Sequence, residues 1–227
     1  NTPLVRLNRI AEGAAATVVA KLEYTNPAKS VKDRIGLAMI EAAERAIDIK
    51  TFLIKPDTAG TLIWLELYAA AERGVRVRLL FDDVFTTARD DQIATLDAHP
   101  NVQVRIFNPI ARKGIDVLNY LGHFTLANRR MHNKAFIVDN QVAVVGGRNI
   151  AVEYFQLETT GEFIDFDMLS TGPIVKDVSA QFDTYWNHKL AVPMEALFAK
   201  DGSKKLERAR DQLTREMAEA GEGIYGR

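Results

Sequence analysis

The chain reads as an α/β protein. Three observations carry that reading: strand-like and helix-like apolar periods alternate along it, turn residues punctuate the alternation, and 47% of its 227 residues are hydrophobic, enough to build a core and to exclude wholesale disorder. Residues 17–23 (TVVAKLE) predict a strand and Asn26-Pro27 a turn. Ser30 is a cap for a helix from about Val31 to Arg45, with Ile35, Met39 and Ala42 or Ala43 on one face. Residues 47–54 (IDIKTFLI) predict a strand, and 58–73 a helix with Leu62, Leu65 and Ala69 inward that stops at Gly74. A strand at 75–81 ends in Asp82-Asp83, a helix follows over about 88–98, and a strand at 102–107. This repetition suits right-handed crossovers and a largely parallel sheet.

Residues 108–130 are less regular and carry Arg112, Lys113, Arg129 and Arg130. Residues 131–150 (MHNKAFIVDNQVAVVGGRNI) predict a β-hairpin, with an apolar run at 135–138, a turn at Asp139-Asn140 and a return through 142–145. A strand near 165–170, a helix near 173–188 and a charged helix near 203–220 complete the pattern. That last helix has only Leu206, Leu213 and Met217 on a narrow stripe, as in a peripheral solvated helix.

Composition excludes several classes. Twenty-nine Lys+Arg against 30 Asp+Glu give a net charge of −1, which argues against a polyanion-coating protein. With no cysteine there is no disulfide framework, thiolate metal site or cysteine nucleophile, in keeping with a reducing compartment. No apolar run approaches the ~18 residues of a spanning helix. Asn1-Thr2-Pro3 lacks both Met and a basic-then-apolar leader, so the stretch is expected to begin within a longer chain.

The chemistry concentrates at 132–149. His132 and Lys134 are two apart in a predicted strand and so share a face. Lys offers a phosphate charge and donors, and a neutral imidazole can attack phosphorus. Asp139 lies at the turn, Gly146-Gly147 allows close backbone approach to a ligand, and Asn149 offers an amide to a phosphoryl oxygen. His99, His123 and His188 lack such company and read as structural.

This H-x-K-x4-D spacing with its G-G-x-N resembles the HKD signature of the phospholipase D superfamily. Residues 42–83 and 163–187 resemble cardiolipin synthase-type members, and the likeness covers about 42–195. It implies a mixed sheet flanked by helices, a phosphodiesterase or phosphatidyltransferase activity, and a phosphohistidine formed on His132. Lys134 and Asn149 would hold the phosphoryl oxygens. Asp165 would orient the ring, with Glu162 or Asp167 as alternatives, and Asp139 reads as tying down the hairpin. The family uses two such motifs, and no second one occurs here. The likeness therefore implies a homodimer that brings two copies of His132 together. A phospholipid substrate is expected in preference to nucleic acid, without a metal or other cofactor, in a cytoplasmic protein that touches the inner membrane peripherally.

Residues 1–44, including SVKDR, resemble the start of cysteine synthase (O-acetylserine sulfhydrylase). This second likeness implies a chimera of three parts: a cysteine synthase-like segment at 1–44, a phospholipase D-like domain at 45–195 and a charged helix at 196–227. It makes Lys32 the candidate Schiff-base lysine for pyridoxal phosphate. As the alternative cofactor, pyridoxal phosphate would need a substrate loop, of which Thr58-Ala59-Gly60-Thr61 is a superficial echo, and a glycine-rich cradle. The only G-x-G-x-x-G, Gly221 to Gly226, has no strand before it and no helix after it. Without a cradle, Lys32 reads as a solvated lysine at a helix start in preference to a Schiff-base lysine. A non-catalytic fusion fragment is the remaining alternative.

Overall fold

The computed structural model describes residues 4–6, 19–21, 31–83, 96–97, 99–109, 130–154, 165–197 and 215. Two short strands, β1 (Leu4–Arg6) and β2 (Val19–Lys21), pair antiparallel in a sheet of their own. Next come helix α1 (Val31–Glu41), β3 (Ala46–Thr51), α2 (Thr58–Glu72), β4 (Arg76–Asp82) and β5 (Val102–Phe107). The hairpin strands β6 (Lys134–Val138) and β7 (Val142–Gly146) lead to a 3-10 turn (Val152–Tyr154), β8 (Asp167–Thr171), α3 (Ile174–Trp186), β9 (Ala191–Pro193) and α4 (Met194–Leu197). The expected helices near 88–98 and 203–220 lie almost wholly outside the described residues.

Strands β3 to β9 form one seven-stranded sheet in the order β8-β7-β6-β3-β4-β5-β9. Only β3–β4 and β4–β5 are parallel; the other four pairings are antiparallel. The sheet is therefore mixed, as the resemblance to the phospholipase D superfamily implied, and not largely parallel as the helix–strand repetition alone suggested. Helix α2 crosses over between the parallel strands β3 and β4, and the tight hairpin turn after β6 reverses the chain.

Alternation within the strands builds two cores. Ile47, Ile49, Val77, Leu79, Phe81, Val104 and Phe136 pack with Met39, Ile40, Trp64 and Leu67 of α1 and α2. Leu80, Phe107, Ala135, Ile137 and Ala143 pack on the other face under Val175, Phe182 and Trp186 of α3. In α2 the buried residues include Trp64, Leu67, Ala70, Ala71 and, as expected, Leu65, whereas Leu62 and Ala69 are only half-buried. This helix is apolar on nearly every side, so periodicity alone did not single out the face on which Trp64 sits.

Local chemistry sets the ends. Asp57 caps α2 by accepting from Gly60 N at 2.9 Å, and Gly74 (φ 91°) ends it. The hairpin turns through Asp139 and Asn140 at φ 52° and 57°, positive values that short polar side chains tolerate. The Asp139 carboxylate accepts from the backbone N–H groups of Glu44, Arg45 and Ala46 at 3.0, 2.8 and 2.8 Å, tying the turn to the start of β3.

Candidate functional site

The lead-in to β6, residues 130–133, belongs to no strand; the ladder begins where Lys134 pairs with Gly146. His132 projects from this lead-in and is exposed, while Lys134 is buried at 5% exposure. Lys134 Nζ lies 3.2 Å from His132 Nδ1 and 3.3 Å from Nε2, and donates to the His132 carbonyl at 2.6 Å. The ammonium is thus held within 3.3 Å of both ring nitrogens. Phe52, the residue after β3, walls the pair: its ring centroid is 4.7 Å from that of His132 and 5.5 Å from Lys134 Nζ. Sequence reading passed over Phe52 because it looked like one more apolar strand residue, and only the antiparallel placing of β3 beside β6 brings it to the histidine.

Asn149 follows β7 and is buried at 3% exposure. Its Nδ2 donates to Tyr154 Oη at 2.8 Å, and its Oδ1 is buried with no partner among the described residues. Arg148 pins this loop: Nε donates to Asp167 Oδ2 at 2.8 Å, Nη2 to Asp165 O at 3.1 Å, and Nη1 to the Tyr154 carbonyl. Crowding requires Gly146, where a Cβ would lie 2.5 Å from Phe166 O and 2.9 Å from Asp167 Cα, whereas a Cβ on Gly147 would meet only the end of the Asp165 side chain. Gly146 thus admits β8 and its lead-in close to the loop.

The remaining candidates are placed as follows. Asp165 lies over Gly147 and accepts from Phe166 N at 2.8 Å; among the described residues no hydrogen bond joins it to His132. Asp167 is taken by Arg148, and Glu162 lies outside the described residues. Asp139 sits at the opposite end of β6 from Lys134, spent on three backbone amides. Burial alone would raise its carboxyl, but the N–H groups of Glu44, Ala46 and Arg45 and the Arg45 charge outweigh it and hold the group below the usual carboxylate range. His99 bonds Glu72 at 3.0 Å and accepts from Asn101 N, His188 accepts from Leu190 N, and His123 is not described. Lys32 lies in the first turn of α1, its side chain outside the described residues. Thr58-Ala59-Gly60-Thr61 forms the first turn of α2, with the Gly60 N–H donating to Asp57.

A groove of about 450 Å³ opens beside Lys134, lined also by Lys50, Asn133, Gly146, Asp177 and Gln181. Lys50, on β3, bonds Gln181 and lies 4.4 Å from the Tyr185 ring centroid; burial pushes its ammonium down to about 8.

Comparison with known proteins accords with this geometry. Residues 37–186 match the family model described as cardiolipin synthase, PLD-like domain. The chain is 43% identical over 157 residues to cardiolipin synthase C of Escherichia coli (strain K12), covering 69% of this chain and 33% of that protein. It thus spans about a third of that relative's length. A partial likeness, 41% identity over 102 residues, links 43% of this chain to 18% of the cystathionine beta-synthase of Rattus norvegicus. In fold it is similar to phosphatidylserine synthase of Haemophilus influenzae Rd KW20, with a TM-score of 0.55 at 15% identity over 82% of this chain and 41% of that one. The family match takes in α2, the whole of β3 to β8 and the His132–Lys134 pair, and on it this chain belongs to the cardiolipin synthase-type, phospholipase D-like family.

Proposed function

We propose that this chain cleaves a phosphodiester, or transfers its phosphatidyl group, with His132 as nucleophile. The observation that carries this reading is the Lys134 ammonium held within 3.3 Å of both ring nitrogens of an exposed histidine. An imidazole lone pair forms an N–P bond while the bond from phosphorus to the leaving alcohol breaks. The buried ammonium meets the non-bridging oxygens as their charge grows, and its bond to the His132 carbonyl means that it need not reorganise to do so. An alcohol or water then attacks phosphorus and releases His132. Asn149 serves the same oxygens by turning its amide so that Tyr154 Oη donates to Oδ1 and Nδ2 is freed. Histidine, lysine and asparagine supply all of this chemistry, so the reading calls for no resident cofactor. Asp139 takes no part.

The leaving oxygen needs a proton. In this proposal a second copy of the chain supplies it from its own His132, in a two-fold dimer, and that histidine then takes a proton back from the attacking alcohol or water. General acid catalysis of this kind is worth about 10²–10⁴ in rate. The relative named cardiolipin synthase C and the balanced net charge favour a phospholipid substrate over nucleic acid. Membrane contact would then be peripheral: no described helix is long and apolar enough to cross a bilayer.

The test is hydrolysis of a generic phosphodiester alongside solution mass. Turnover in the dimer fraction, falling at least about 10³-fold in His132→Ala, is expected. Unchanged turnover in that variant refutes the assignment, and turnover by a strict monomer refutes the dimer.

A further inference from the structure

Asp82 closes β4 and is fully buried, yet nothing in the proposed chemistry uses it. A buried carboxylate is costly unless paired and hydrogen-bonded, and an apolar side chain there would serve packing better. Its partners explain its presence. Asp82 Oδ2 accepts from the Met131 backbone N–H at 2.8 Å, one residue before His132. Asp82 Oδ1 lies 3.2 Å from Arg130 Nη1, which also donates to Asn108 O at 3.0 Å.

The lead-in at 130–133 has no ladder of its own, so the sheet does not fix the His132 backbone. Strand β3 stands between β4 and β6, but its pairing with β4 stops at Thr51–Phe81, one residue short of Asp82. Asp82 therefore reaches past the end of β3 to the chain entering β6. Strand β4, flanked by parallel partners on both sides, is a rigid reference for it. The Met131 side chain, 1% exposed, seats the same segment in the core beneath α3.

We infer that Asp82 is a positioning residue for His132: its carboxylate ties the backbone before the nucleophile to the end of β4, so that the ring meets Lys134 and the substrate phosphorus. This rests on the reading of His132 as nucleophile. A displacement of about 1 Å at a reacting group can cost about 10²-fold in rate, the scale expected here.

The experiment compares wild type, Asp82→Ala and Asp82→Asn by phosphodiester turnover and by NMR of ring-labelled histidine. Asp82→Ala should lower kcat about 10²-fold with KM changed less than about threefold, and should move or split the His132 ring signal while those of His99 and His188 stay. Asp82→Asn keeps an oxygen for the Met131 N–H and should recover more than about a third of kcat. A folded Asp82→Ala with wild-type kcat and an unmoved His132 signal overturns the inference, as does an Asn variant as damaged as the Ala one. Should Asp82→Ala fail to fold, hydrogen exchange of the Met131 amide in the wild type decides: strong protection supports the tie, and exchange at the rate of an open amide refutes it. Absence of wild-type turnover would count against the nucleophile alone, because the ring signal and the Met131 amide report on the tie without catalysis.

Discussion

Lys134 is more confined than the histidine it serves. Its Nζ bonds the His132 carbonyl at 2.6 Å, so the ammonium stays in place whichever way the exposed ring turns. Lys134→Met, which keeps the stem and removes the charge, should therefore lower turnover about 10²-fold or more without a matching loss of stability; steady-state kinetics beside a urea melt will show it. Asp139, in the same motif, should behave oppositely. Asp139→Ala strands three backbone N–H groups and should cost about 1–2 kcal/mol of stability while sparing kcat per folded molecule. Because the folded state holds this carboxyl low, its contribution is complete above the unfolded value of about 3.9 and fades as pH falls through the lower folded value. The stability gap between wild type and variant should hold from pH 7 to 5 and narrow below about pH 4. For Lys50 the sign is reversed. Its folded value of about 8 lies below the unfolded ~10.4, so its ammonium penalises folding fully below pH 8 and progressively less as pH rises between the two. Lys50→Met should be more stable than wild type at pH 7, with the advantage shrinking toward pH 10; a gap indifferent to pH would contradict this.

At the scale of elements, polar groups lock α3 to its face of the sheet. Arg78 on β4 holds Asp48 on β3 through two bonds of 2.6 and 2.7 Å, reaches Asp183 of α3 at 2.8 Å, and lies 4.8 Å from the centre of the Phe182 ring. Arg78→Ala leaves the Asp48 carboxylate buried without its partner and should cost about 3–5 kcal/mol in a urea melt. Strand β8 pairs with β7 over five residues, and the first of them, Asp167, lies opposite Gly146. Gly146→Ala would drive a Cβ to 2.5 Å from Phe166 O and 2.9 Å from Asp167 Cα, loosening β7–β8 at a cost of about 1–3 kcal/mol. The hairpin was legible in the sequence because Asp-Asn sits between two apolar runs and both residues accept a positive φ. Strand β9 was not: three residues ending in Pro193 carry no period and join the sheet at the edge of β5.

The whole molecule explains why the site was only partly legible. His132 and Lys134 are two apart in sequence, so their proximity was legible, although His132 lies in the lead-in to β6 and not, as strand periodicity suggested, on a strand face with Lys134. Phe52 and Asp82 reach the site only through the order β6-β3-β4, which no local pattern encodes, whereas Tyr154 arrives by the 3-10 turn five residues after Asn149. The same order corrects the expected parallel sheet, since parallel pairing joins three strands and antiparallel pairing adds the other four. It also leaves β8 at an edge with Phe166, Met168 and Leu169 exposed beside the loop of Gly146 and Gly147. The most direct measurement is to quench the wild type during turnover of a phosphodiester labelled at phosphorus and to locate the label by peptide mass spectrometry under alkaline conditions. The account predicts label on the peptide containing His132 and none in His132→Ala. Label on another residue, or full turnover with no histidine at 132, would contradict it.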